Sequence, residues 1–135
     1  MSSLISSIHT ACTNFNKDFD LKGLPVLDKI WVNINGYKDL NLSHNHGHTS
    51  MSGVYYVQTP PKCGNIRFSH PAYDLVNLSY NNKMNNFNAY NSPRWYLPAK
   101  AGLLYLFPGY LNHSVEPNMN KTTKRISISF NVFFK

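Results

Sequence analysis

Apolar residues recur in two rhythms along this chain, and the change between them falls near residue 25. Leu4, Ile8, Ala11, Phe15 and Phe19 are three or four positions apart. That is the repeat of one helix face, so the spacing predicts a short amphipathic helix over roughly residues 3–19, ended by Gly23 and Pro25. Beyond it the rhythm is that of strands. Ile30-Trp31-Val32-Asn33-Ile34-Asn35 alternates and closes at Gly36, and Ser52 to Val57 is rich in β-branched and aromatic residues before Pro60-Pro61. Asn65 to Phe68 is a short candidate strand, and Gly102 to Phe107 reads as a buried one stopped by Pro108-Gly109. Arg125 to Phe134 reads as a strand in which polar and apolar side chains alternate as far as Val132. Short strands punctuated by Pro and Gly behind one helix predict an all-β sandwich or small barrel. Residues 74–98, dense in Asn and Tyr, show no period and are expected to form an irregular lid or loop.

The length of 135 residues suits a single domain over 1–135, with 1–24 as a helical extension packed on the β core. A hydrophobic content of 42% excludes disorder. The net charge of +7 reflects 13 Lys and Arg against only 6 acids. An anionic partner therefore suits the chain, but the bases are scattered singly, so nucleic acid is not the favoured partner. A nucleic-acid surface would use residues 74–98, whose tyrosines could stack on bases. Cys12 and Cys63 are far apart and outside any C-x-x-C motif, which predicts reduced thiols in a cytoplasmic compartment. No charged stretch followed by an apolar run opens the chain, so no secretory signal is expected. No apolar run approaches the roughly 20 residues that span a bilayer.

The candidate chemistry lies in two distant clusters. In an extended segment residues i and i+2 share a side, so His44, His46 and His48 share a face, and two imidazoles at that spacing can converge on one ion. His113, just past the strand that ends at Phe107-Pro108, is the natural distal ligand. Three such groups form a facial set that leaves the opposite positions open. Pro117-Asn118-Met119-Asn120 reads as a turn. A hairpin centred on Met119 would place His113 directly across from Arg125, with Ser127 two residues on. A guanidinium with a neighbouring hydroxyl is what a carboxylate of a dicarboxylic acid needs. Ile126, Ile128, Phe130 and Val132 then face outward, where the N-terminal helix or a second subunit is expected to cover them.

With these pieces in order, the chain resembles the small 2-oxoglutarate- and Fe(II)-dependent oxygenase-like proteins of marine bacteria and their phages. The matching text runs from Trp31-Val32-Asn33 through His44-Asn45-His46 and Ser52 to Val57, then Leu111-Asn112-His113-Ser114-Val115, to Arg125 to Asn131. The resemblance implies a double-stranded β-helix (jelly roll, cupin-like) fold. It implies Fe(II) on His44, His46 and His113, and 2-oxoglutarate held by Arg125, Ser127 and Tyr56, with Asn33 also touching the co-substrate. His46 stands where the wider superfamily has an acid, and His48 is the alternative to it. Three neutral histidines also suit zinc, or a cupin-like binding module without 2-oxoglutarate turnover. The implied activity is hydroxylation of a small or macromolecular substrate in the cytoplasm, that of the host for a phage-encoded protein.

Overall fold

The N-terminal rhythm folds as helix α1 (Ser2–Asp18). The alternating segments fold as β1 (Pro25–Asn35), β2 (Asn41–His44), β3 (Met51–Gln58), β4 (Ile66–Ser69), β5 (Arg94–Leu97), β6 (Leu104–Pro108), β7 (His113–Val115) and β8 (Arg125–Phe134). A second helix, α2 (Tyr73–Tyr80), lies between β4 and β5. The computed structural model describes residues 2–80 and 83–135.

Pairing arranges these strands into two antiparallel sheets, ordered β1-β8-β3-β6 and β2-β7-β4-β5. Apart from the step from β4 to β5, each strand lies in the other sheet from its predecessor. This is the winding of a double-stranded β-helix, a jelly roll. Because strand side chains alternate, each sheet has an inner and an outer face. Val54, Tyr56, Ile66, Phe68 and Phe107 form an apolar cluster with Trp95, Tyr105 and Val115 packed against it. It draws on both sheets. A second cluster lies under α1, where Ile8 and Cys12 bury Met51, Phe130 and Val132. Full burial of a ring such as Phe130 contributes about 3 kcal/mol. Gly53 makes room for it, since a Cβ there would collide with the Phe130 ring.

The helix therefore covers part of the outward face of β8, as its alternation requires. The cover stops short of the first half of the strand. Ile126 and Ile128 are half-buried, and their partners on β1, Ile34 and Val32, are each 58% exposed.

Two expectations are corrected. No hairpin joins β7 to β8: β7 pairs with β2 and β4, and β8 pairs with β1 and β3. The residue across from Arg125 is Asn35, not His113. The turn at Pro117-Asn118 instead begins a crossing between sheets, which Asn118 braces from a fully buried position. Its Nδ2 donates to the carbonyls of Asn35 (3.0 Å) and Thr123 (3.1 Å). Residues 74–98 are also not wholly irregular, since they contain most of α2 and all of β5. Helix α2 buries none of its side chains. β5 is four residues stabilised by pairing with β4. Neither leaves a periodic apolar trace in so short a run.

Candidate metal centre

His44 ends β2 and His113 begins β7, and the two are register partners. Their ring centroids are 4.3 Å apart. His46 lies just beyond β2, where its backbone N–H donates to the Gly109 carbonyl at 2.7 Å. Its ring is 5.0 Å from that of His44 and 5.4 Å from that of His113. Ligand-capable atoms of the three residues all lie within 4.8 Å of one another. The alternation that carries His44 and His46 to one side ends at Gly47-His48, where the chain turns. Thr49 closes that turn through its N–H and its hydroxyl, both donating to the His46 carbonyl at 2.8 Å. His48 consequently falls outside the group.

Gly109 is what allows this approach. A Cβ there would collide with the Thr49 carbonyl and lie 2.8 Å from the His46 carbonyl. Both are backbone atoms without rotamer freedom.

Second contacts orient two of the rings in the same way. His44 Nδ1 donates to the Leu42 carbonyl at 2.7 Å, and His113 Nδ1 donates to the Leu111 carbonyl at 3.0 Å. A carbonyl can only accept, so Nδ1 carries a proton, and in the neutral ring Nε2 is the nitrogen whose lone pair is left for a cation. Phe107 and Phe68 pack near His113, with ring centroids 4.7 Å and 6.2 Å away. Burial lowers the His113 pKa to about 4, helped by the neighbouring His44 and His46 and opposed by the bond to Leu111. Burial, followed by His44 and His48, lowers that of His46 as well. His46 and His113 are thus neutral at pH 7, as cation ligands must be. Among the described residues no carboxylate joins the group. Asp39 accepts from the Gly36 N–H at 2.7 Å, and Glu116, three residues beyond His113, accepts from the Asn65 N–H at 2.9 Å.

The same cleft, about 50 Å³ in volume, is also lined by Asn33, Tyr56, Arg125 and Ser127. Tyr56, Ser127 and Asn33 form one cross-strand row through β3, β8 and β1. Asn33 Nδ2 donates to Ser129 Oγ at 2.8 Å and more weakly to Ser127 Oγ at 3.4 Å. Arg125 is 1% exposed. Its Nη1 donates to the carbonyls of Cys63 and Glu116, the latter at 2.8 Å. Among the described residues its buried Nη2 meets no acceptor, and the buried Tyr56 hydroxyl has no partner. Burial raises the Tyr56 pKa, with Arg125 acting the other way, so the phenol keeps its proton. Burial also lowers the Arg125 pKa, with Tyr56, Cys63 and Asp39 opposing. A guanidinium starts high enough to stay charged. Two buried donors without acceptors, beside a positive charge, suit a carboxylate.

The residue pattern named five of these seven as site residues and the family resemblance added Tyr56 and Asn33, but neither named three others. Trp31 lines the cleft with its ring 5.9 Å from that of His46. Asn118 ties down the end of β1 opposite Arg125. Gly109 was legible only as a turn signal after Pro108.

Residues 29–131 match the sequence profile of a family described as "Putative 2OG-Fe(II) oxygenase". No curated protein matches the chain in sequence. Among solved structures, the fold resembles an oxidoreductase of the 2OG-Fe(II) oxygenase family from Burkholderia pseudomallei. The TM-score is 0.63 at 12% identity, over 88% of this chain and 50% of that one. A Pseudomonas putida prolyl-4-hydroxylase aligns with a TM-score of 0.60 at 16% identity, over 95% and 63% of the two chains. The α-ketoglutarate-dependent epimerase SnoN of nogalamycin biosynthesis aligns with a TM-score of 0.59 at 17% identity, over 82% and 49%. The chain thus spans about half to two-thirds of the length of these structures.

Proposed function

Because the chain belongs to the 2OG-Fe(II) oxygenase family, we propose that it is an Fe(II)- and 2-oxoglutarate-dependent oxygenase, a hydroxylase of a substrate still to be identified. One observation carries this reading. A buried guanidinium nitrogen and a buried phenol, both without partners, line the same cleft as three clustered histidines. When bound, iron and 2-oxoglutarate supply the oxidation of an unactivated C–H bond by O₂, coupled to decarboxylation of the co-substrate to succinate.

The chain's own residues do the rest. His44, His46 and His113 hold the iron, with Nε2 presented by His44 and His113 because their Nδ1 atoms are already engaged. Arg125 Nη2 and the Tyr56 hydroxyl take the distal carboxylate, with Ser127 beside them. Asn33 keeps Ser127 and Ser129 in place. Nη1 of Arg125 is fixed by two backbone carbonyls, so the fork is oriented before any anion arrives. Phe68 and Phe107 exclude water from the His113 side. Three neutral ligands leave the iron charge uncompensated, and a dianionic co-substrate offsets it. We place the chain in the His-x-His, His, Arg-x-Ser subgroup of marine bacterial and phage proteins. Its two free, buried thiols support a reducing cytoplasm.

Anaerobic titration with Fe(II) and 2-oxoglutarate tests this. The chelate is expected to give a visible metal-to-ligand charge-transfer band. Metal binding without that band at millimolar 2-oxoglutarate would support the second reading, a cupin-like metal-binding module, which the missing carboxylate favours.

A further inference from the structure

We propose that the outer face of the β2-β7-β4-β5 sheet carries a binding site for a phosphate group, separate from the metal centre. The register separates the two faces. His44, His113 and Phe68 form one cross-strand row, and Phe68 and His113 are buried. The alternate positions belong to the other side: Arg67 stands across from Ser114 and Tyr96, and Ser69 across from Arg94. Arg67, Ser69 and Arg94, with Ser43 and Asn112, line a cleft of about 680 Å³ walled by the start of α2. None of them lines the cleft of the three histidines.

The donors of this cleft are largely unused. Arg67 Nε is buried and meets no acceptor among the described residues. Arg94 donates through Nη2 to the Tyr73 hydroxyl at 2.6 Å, and its guanidinium carbon lies 4.7 Å from the centre of the Tyr73 ring. That stacking holds the fork in place with its other N–H groups free. Two arginines face one acid, Asp74, so the lining carries an excess positive charge. Side-chain hydroxyl and amide groups from β2, β4 and the loop before β7 line the same cleft. A planar carboxylate uses one edge of such a set, whereas a tetrahedral phosphate presents oxygens to floor and walls together. The net charge of +7 attracts such a ligand at long range.

Two sources share this chemistry, a phosphomonoester and the phosphodiester of a single strand, and the test separates them. The full chain is titrated with inorganic phosphate, with a nucleoside 5′-monophosphate and with a fluorescein-labelled single-stranded oligonucleotide, and amide shifts are followed by NMR. Saturable binding is expected, with shifts at residues 67–75, 94 and 112. Arg67→Gln and Arg94→Gln are each expected to weaken it about tenfold or more. Arg94 is exposed, so its substitution leaves folding intact even if the half-buried Arg67 does not tolerate change. Binding of phosphate and monophosphate alone assigns a phosphomonoester, and salt-dependent binding of the oligonucleotide assigns a phosphodiester. Four outcomes overturn the proposal: no binding at millimolar phosphate, unchanged binding by Arg94→Gln, equal competition by succinate, or shifts confined to residues 44–46 and 113.

Discussion

His44 and His113, separated by about half of the chain, are direct cross-strand partners, and each fixes its ring by the same bond from Nδ1 to the carbonyl two residues earlier. The pairing makes the proposed metal centre part of the β2–β7 ladder rather than a chance meeting of loops. Only His46 depends on a loop, and that loop is fastened to Gly109.

Gly109→Ala is therefore expected to act on the metal through His46. The added methyl must push away the backbone at Thr49 and His46. Iron affinity should fall about tenfold to a hundredfold, the range for disturbed ligand support. Isothermal titration with Fe(II) under argon, beside a thermal melt, measures both effects. Unchanged affinity would remove Gly109 from the positioning of His46.

Arg125→Ala should raise the 2-oxoglutarate requirement far more than it changes iron content. Loss of a buried charge-assisted contact costs about 2–4 kcal/mol, or roughly 30- to 1,000-fold in apparent affinity. Metal analysis and the charge-transfer titration read the two quantities separately. Equal loss of both would mean that Arg125 supports the fold rather than the co-substrate.

Tyr56→Phe should move stability and affinity in opposite directions. Among the described residues the buried hydroxyl has no partner, so its removal should leave the stability of the protein without co-substrate unchanged or raise it by about 1 kcal/mol. The affinity for 2-oxoglutarate should fall about fivefold to tenfold as one donor is lost. A variant that loses stability would show that the hydroxyl already has a partner in solution.

Acid should weaken the metal-free protein through His113. Its pKa is lowered to about 4 in the folded state, from an ordinary 6.5. Between those values the unfolded chain binds the extra proton, so stability is complete above pH 6.5 and is lost as pH falls towards 4. The full difference is about 3 kcal/mol. Denaturant unfolding at a series of pH values should show this slope, and His113→Gln should flatten it. An unchanged slope in that variant would place the acid sensitivity elsewhere.

Much of this protein was legible from local pattern. The helix at the N-terminus, the alternation through most of β8 and the strand around Tyr55-Tyr56 follow from periodicity. Periodicity reports which face of an element is buried, and nothing beyond the chain is needed to read it. The histidine and arginine positions were likewise visible from residue type and spacing, whereas Tyr56 and Asn33 came only from the family resemblance. Which strands pair was not. A turn at Pro117-Asn118 joins two hairpin strands or two different sheets with the same residues, and only packing of the whole molecule selects the crossing. That choice gave Arg125 the partner Asn35, and His113 the partner His44. It also decided that His48 is left out of the histidine group and that Arg67 and Arg94 share an outer cleft. Local sequence sets the face a side chain takes, whereas long-range pairing sets whom it meets.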